Sequence, residues 1–314
     1  SHGLSSGGHV TKVMARPRFS FLKAHGLGND FLLHLQRPSE PLLTPEEVRL
    51  LCDRRLGVGA DGVIHLLPGP SSRQARMVLH NQDGSPAEIS GNGLRCAVAA
   101  LSCWWGSGCA ADTWQILTGA GLREGRTLPP GADTGPGSSA LLVAVSMGRP
   151  AYHEAVLSPE GAALLPGPAG HRRLRLQLGD RELVGLPVAL GNPHFVIPGP
   201  LPSDAELQRL GPLVEHHEAF PGRINGIWLE AVALDRLRLK IWERGAGVTP
   251  ACGSGACAAA VAACWLGLCP VGSSIEVEMP GGRVQVALPS AAGEELWLTG
   301  PVALVARGEW LLAG

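Results

Sequence analysis

A strand-rich fold of two related halves, each carrying one central helix, is what the sequence predicts. The repeat is the first observation: Ser90-Gly91-Asn92-Gly93 returns in altered form as Cys252-Gly253-Ser254-Gly255, 162 positions later in a chain of 314, with Gly91 and Gly93 in register with Gly253 and Gly255. Each copy runs into an alanine-rich stretch, Cys96 to Leu101 and Cys257 to Ala263, which reads as the start of a buried helix. The second observation is what surrounds them, a succession of short apolar runs bounded by Gly, Pro, Asn and Asp, the pattern of strands and turns.

In chain order, residues 1–17 are Gly/Ser-rich without periodicity and read as a flexible leader outside the fold. Phe19 to Ala24 is a strand, and His25 to Phe31 a glycine-rich turn into a second. Thr44-Pro45-Glu46-Glu47 combines an N-cap residue, proline at the first helical position and early acids, so a helix runs from there to about Cys52. Asp53 to Gly62 is a loop before the strand Val63–Leu67; its Gly-x-Gly precedes no helix, which argues against a dinucleotide fingerprint. Met77 to Asn81 is a strand, and Gln82-Asp83-Gly84-Ser85 a turn that delivers the chain to Ser90. Residues 119–139 read as a Gly/Pro-rich connection, and a boundary near it separates 18–138, joined by 300–314, from 139–299. After the apolar run Ala140–Val145, the second half has strands at Arg173–Leu178, Glu182–Leu190, Gly226–Ala233 and Leu237–Trp242, with a helix from Asp204 to Leu213.

Composition narrows the function. With 26 basic and 27 acidic residues, the charge balance suggests neither a nucleic-acid groove nor a polybasic membrane anchor, and no apolar run reaches the roughly 18 residues of a membrane span. A small-molecule site is the expectation. Eight cysteines in a chain of this size, with no signal-peptide pattern, read as reduced thiols in a cytoplasm. No C-x2-C pair occurs, so zinc-knuckle spacing is absent. Cys257 and Cys264, seven apart, read as packing residues on one helix face.

The paired helix starts carry the chemistry. Unpaired amides in a glycine-containing first turn favour a carboxylate or phosphate, and two such starts could hold one anion. The residue just before each helix sits in the same positive field, worth roughly 0.3–1 kcal/mol, which favours a thiolate at Cys252. Ser90 is the anomaly, because a hydroxyl stays protonated where a thiol ionises.

His25-Gly26-Leu27-Gly28-Asn29-Asp30-Phe31, Asp53 to Gly62, Asn81-Gln82-Asp83-Gly84-Ser85, Gly91-Asn92-Gly93-Leu94-Arg95, Met147-Gly148, Gly191-Asn192-Pro193-His194, Glu243-Arg244-Gly245 and Ala251-Cys252-Gly253-Ser254-Gly255 together, in this order, resemble the diaminopimelate epimerase family from about Phe19 to Pro301. The resemblance implies an α+β fold of two similar domains, each a curled β-sheet around a central helix, with the active site in the cleft between them and closure on ligand. It implies cofactor-independent interconversion of LL- and meso-2,6-diaminopimelate, a step of lysine biosynthesis, by two cysteines that face the α-carbon from opposite sides. Cys252 matches the second; Ser90 stands in the place of the first. Gly91, Asn92, Gly253 and Ser254 match the cradle of the α-carboxylate, while Asn29, Asn81, Asn192, Asn225, Glu243 and Arg244 resemble residues that hold the far amino-carboxylate end and the α-amine. Glu243 is also carried among the catalytic residues, and His194 resembles one that assists the thiols.

Plainer readings stand beside these. Asn192 before proline serves as a turn residue, and His194 as a structural histidine; Asp53 and Asp61 stabilise loops, and Glu88 is a surface or helix-entry residue and not a base. Ser90 is explained either by a Cys→Ser change introduced into the chain, which the intact flanking motif favours, or by natural single-thiol chemistry. The rivals to an impaired epimerase are a related amino-acid racemase or dehydratase with one thiol and a catalytically inactive ligand-binding homologue. A homodimer is compatible with the sequence.

Overall fold

The computed structural model describes residues 19–106, 112–129, 140–153, 162–167, 170–291 and 293–311; the leader and residues 130–139 of the connection lie outside them. Four helices are present among these residues: α1 (Pro45–Cys52), α2 (Gly91–Trp104), α3 (Asp204–Glu215) and α4 (Gly253–Trp265). Everything else regular is strand.

The strands form two rings. In the first, Phe19–Gly26, Asn29–Leu35, Gly62–Pro68, Gln74–Asn81, Thr113–Thr118, Gly121–Leu128, Ala140–Gly148 and Leu296–Trp310 each pair with the next, and the last pairs back on the first, Phe19 opposite Trp310. The second ring runs from Leu296–Trp310 through Gly282–Ala287, Ser274–Met279, Arg236–Glu243, Asn225–Ala233 and Asn192–Pro198 to Arg181–Leu190. It returns by way of Ala151–Tyr152, which follows Ala140–Gly148 in the chain. Both rings therefore share Leu296–Trp310 and the segment around Ala140–Gly148. The first ring is closed and leaves no edge strand open, while beside the second Arg173–Leu178 pairs with Arg181–Leu190 and Ala162–Leu165 with Arg173–Leu178.

Each ring encloses one helix. Gly91 through Ser102 of α2 and Gly253 through Ala263 of α4 are buried without exception, as befits helices whose apolar character runs all the way round. Alanine dominates because a helix inside a ring of strands has room for little more than a methyl group on most faces. The two other helices lie outside. Val48, Leu51 and Cys52 of α1 pack with Phe19, Leu32 and Val63, and Leu207, Leu210 and Val214 of α3 pack with Leu174, Phe195 and Trp228. Both outer helices start with a complete capping box, Thr44 with Glu47 and Ser203 with Glu206.

The halves repeat in register as well as in plan. Around α1, Phe31 pairs in parallel with Gly62; around α3, His194 pairs in parallel with Asn225, both members 163 residues further on. One expectation needs correction. Residues 121–128 are a strand in a hairpin with Thr113–Thr118, where the sequence read connection. Its apolar residues are sparse because several positions face outward, while Gly125 is occluded by Val98 of α2.

Candidate active site

The two inner helices meet end to end. Ser90 and Cys252 cap them in nearly the same backbone geometry, φ −136° and ψ 125° against φ −136° and ψ 112°. Ser90 Oγ accepts from the Gly93 amide at 3.0 Å, and Cys252 Sγ from the Gly255 amide at 3.3 Å. A β-carbon on Gly91 would lie 3.1 Å from Gly253 Cα, and one on Gly253 would lie 3.0 Å from Gly91 Cα and 3.3 Å from the Asn92 nitrogen. Backbone touches backbone, so neither position tolerates a side chain unless the helices move apart. The free amides of two helix starts are thereby concentrated at one point between the capping residues, an arrangement suited to a carboxylate.

Cys252 is almost wholly buried, and Glu243 lies against it. Burial first, and the Glu243 charge second, push the Cys252 thiol well above its ordinary value, against the pull of Ser254 and the Gly255 amide. That corrects the expectation of a resting thiolate: helix-start stabilisation is outweighed by desolvation and a neighbouring acid. Burial likewise raises the Glu243 carboxyl, against hydrogen bonds from Thr249 Oγ1 (2.6 Å) and Cys252. Thiol and carboxyl thus form a hydrogen-bonded pair in which burial opposes charge on either partner.

In the second half, Asn192, His194, Asn225 and Arg244 form one chain of contacts. The Arg244 amide donates to Asn225 Oδ1 at 2.7 Å, so Asn225 turns its nitrogen to His194 Nδ1 at 3.3 Å. Nδ1 then accepts, Nε2 carries the proton, and Nε2 donates to Asn192 Oδ1 at 2.9 Å. Burial, aided by the charges of Arg244 and His153, lowers the His194 pKa to about 3, so the ring is neutral. Both ring nitrogens serve asparagines, not a capping residue. The Arg244 guanidinium is exposed and donates to the Gly222 carbonyl at 3.0 Å.

In the first half, Asn29 Oδ1 accepts from Asn92 Nδ2 at 3.1 Å, while Asn29 Nδ2 donates to Asp61 at 2.7 Å. Asn92 Nδ2 also lies 3.5 Å from the carbonyl of Ala251, the residue before Cys252, so this amide bridges the two halves. Asn81 is exposed and turned to Ser85 (3.1 Å), apart from these contacts, and Glu88 is exposed as the sequence suggested. Two residues the sequence reading did not place at the site join it: Asp61, read as a loop stabiliser, and Arg95, seen only as part of a motif. A lone arginine within an otherwise apolar helix was the available signal for the second. Among the described residues no group of His, Cys, Asp or Glu is arranged to hold a metal ion. A cleft of about 400 Å³ lined by His25, Leu27, Gly28, Pro250, Gly281 and Ala303 includes none of the candidate residues.

A family model described as diaminopimelate epimerase matches residues 21–150 and 187–305. The chain belongs to that family. The diaminopimelate epimerase of Synechococcus elongatus is 43% identical over 296 residues, covering 93% of this chain and 98% of its own, and that of Magnetococcus marinus is 38% identical over 292 residues, covering 92% and 96%. In fold the chain is similar to a hydroxyproline epimerase from Agrobacterium vitis, solved with bound trans-4-hydroxy-L-proline (TM-score 0.64, 17% identity, 95% of this chain and 94% of that one). It is equally similar to a phenazine biosynthesis protein of the PhzF family from Bacillus anthracis (TM-score 0.64, 15% identity, 94% and 100%). The diaminopimelate epimerase family, and the α+β architecture of two similar domains around inner helices, are thus established together.

Proposed function

We propose that the chain is a cofactor-independent epimerase of 2,6-diaminopimelate whose inversion step is impaired at Ser90. The observation that carries this is the contact of Gly91 with Gly253, which sets two helix starts and their capping side chains about one point. A substrate α-carboxylate held by the amides there has Cys252 on one side of its α-carbon and Ser90 on the other. Family membership and the relatives named diaminopimelate epimerase supply the substrate, and Arg244 and Glu243 suit its second carboxylate and an ammonium.

Proton movement follows from the side chains. Cys252 passes its proton to Glu243, and the thiolate removes the α-proton; the electron pair of the C–H bond stays on the α-carbon and is delocalised into the carboxylate held by the helix amides. Inversion then needs a proton from the opposite face. Ser90 supplies one only by becoming an alkoxide, and in the reverse direction its hydroxyl is too weak a base to take one. Return of a proton from Cys252 to its own face needs nothing from Ser90. Exchange without inversion is therefore the activity the chain with Ser90 retains.

The test is to incubate the chain with LL- and meso-diaminopimelate in D2O and follow the α-proton by NMR. The expected outcome is slow deuterium incorporation that disappears in Cys252→Ala, and LL/meso interconversion that rises by about 100-fold or more in Ser90→Cys. Interconversion by the chain with Ser90 that survives Cys252→Ala would defeat the proposal. Calorimetry in parallel with single-ended amino acids separates it from the rival racemase reading, which requires that they bind as well as diaminopimelate does.

Asn92, Asn225, Ser254 and Cys252 are all nearly inaccessible, which supports an entry of substrate by parting the two halves and their closure afterwards. Pairing of Ala303–Trp310 with Phe19–His25 supports returning the segment from 300 to the first domain, while pairing of Ala140–Gly148 with Gly121–Leu128 favours a division after that strand over one near 138. The cysteines described, Cys52, Cys96, Cys103, Cys252, Cys257, Cys264 and Cys269, are free, which supports a reducing, cytoplasmic setting.

A further inference from the structure

Asn29 and Asn92 are joined end to end, and the two groups beyond them are of opposite and fixed type. At one end Arg95 NH2 donates to Asn92 Oδ1 at 2.9 Å; at the other, Asp61 Oδ2 accepts from Asn29 Nδ2 at 2.7 Å. An arginine has only donors and an ionised aspartate only acceptors. The intervening amides therefore have one permitted orientation: the Asn92 oxygen toward Arg95, its nitrogen toward the Asn29 oxygen, and the Asn29 nitrogen toward Asp61. Reversing either amide would set nitrogen against nitrogen or oxygen against oxygen at two contacts.

The ends of this relay are themselves fixed. Arg54 bonds Asp61 at 2.9 Å and Asp30 at 2.7 and 3.1 Å, and the Asp30 amide donates to Asp61 Oδ2 at 3.2 Å. At the other end, Arg95 is fully buried on α2, and its guanidinium occupies a space that two strand glycines leave open. A β-carbon on Gly26 would come within 2.8 Å of NH2, and one on Gly300 within 3.1 Å of Cζ. Nε and NH1 have no partner, and among the described residues no carboxylate pairs with Arg95. A buried cation left so poorly compensated is a burden on folding, and what it visibly accomplishes is to orient Asn92. Asp61, half-exposed, lies close enough for its charge to raise the Glu243 carboxyl.

We propose that Asp61 and Arg95 are positioning residues that fix the polarity of the Asn29 and Asn92 amides, so that the free N–H of Asn29 is always presented as a donor to a ligand carboxylate. The inference rests on the reading of Asn29 as a contact of diaminopimelate. It assigns no chemistry to either charge; both act through the asparagines. A free asparagine is indifferent to which of its ends meets an ammonium or a carboxylate, whereas a locked one discriminates between them.

The experiment is a double-mutant cycle read by calorimetry with meso-diaminopimelate on the full chain, comparing Asn29→Ala, Asp61→Asn and the double variant. Asp61→Asn preserves shape but can donate as well as accept, which removes one of the two contacts that hold the Asn29 amide in its orientation. The expected result is weaker binding by about 10-fold in each single variant, with the double variant no weaker than Asn29→Ala alone. Unchanged binding in Asn29→Ala would instead remove the underlying site reading. Weakened binding in Asn29→Ala with none in Asp61→Asn, or losses that multiply in the double variant, would overturn the relay while leaving the site reading intact. Arg95→Met is expected to weaken binding similarly and Arg95→Lys, which keeps a donor, to recover part of it. Equal losses in the two would count against orientation by a donor.

Discussion

Two glycines and two histidines show how far single residues set the behaviour of this molecule. Gly91→Ala places a methyl group against the opposing helix start and Leu298, where the ideal β-carbon meets atoms at 2.9 to 3.3 Å. The expected cost is about 1–3 kcal/mol, read as a lower urea midpoint, and the accompanying separation of the helix starts abolishes ligand binding in calorimetry. Gly93→Ala faces a side chain, Ile64, and the Ser90 cap at 3.2 Å, and its smaller effect is the control. His65 and His194 contribute to acid stability. Burial, with the charges of His34 and His80 in one case and Arg244 and His153 in the other, lowers both to about 3 from 6.5. The unfolded chain therefore takes up protons that the folded chain refuses. The stabilisation is complete above pH 6.5 and is lost progressively as pH falls toward 3, so the urea midpoint drops between pH about 7.5 and about 5. His65→Gln makes that drop shallower; an unaltered slope would show that another group sets it.

At the scale of elements, what could be read from the chain depended on whether the determinants were local. The capping boxes of α1 and α3 sit within four consecutive residues each, Thr44–Glu47 and Ser203–Glu206, and the start of α1 was legible for that reason. Ser203→Ala is accordingly expected to lower stability by about 1 kcal/mol in urea denaturation without changing ligand affinity, since α3 lies outside the ring. The hairpin of Thr113–Thr118 with Gly121–Leu128 was not legible. Its second strand carries Arg123, Glu124 and Arg126, and its burial is irregular, so neither alternation nor an apolar run marks it. The site divides in the same way. Helix starts, cap residues and the asparagines were visible as types. Their partnerships were not, because Asn29 with Asn92 and Asn92 with Ala251 are contacts across 63 and 159 positions, made only when the rings close. The resting state of Cys252 was misjudged for a related reason: helix-start stabilisation follows from sequence, but burial beside Glu243 does not.

At the scale of the whole molecule, the shared strands forbid independent halves. Thr299 faces Gln285 of the second ring on one side and Ala144 on the other, and further along the same strand Trp310 faces Phe19 of the first ring. Losing this strand opens both rings. Urea unfolding followed by tryptophan fluorescence and by far-UV circular dichroism is expected to give coincident single transitions, whereas two separated transitions would show halves that fold alone. On the proposed reading, substrate enters by bending about the common strands, with the Gly91 and Gly253 contact parting first because it is held by touching backbone and few side chains.

The matching of the two halves about that glycine contact has one more consequence, for isotopic labelling. The halves present equivalent helix starts, but one carries sulfur and the other oxygen at the capping position. On the proposed reading, a molecule built on an approximate rotational symmetry is thus handed at a single atom. Solvent hydrogen enters and leaves by one door only, so the chain marks one epimer with deuterium, preserves its configuration, and leaves its mirror centre unlabelled.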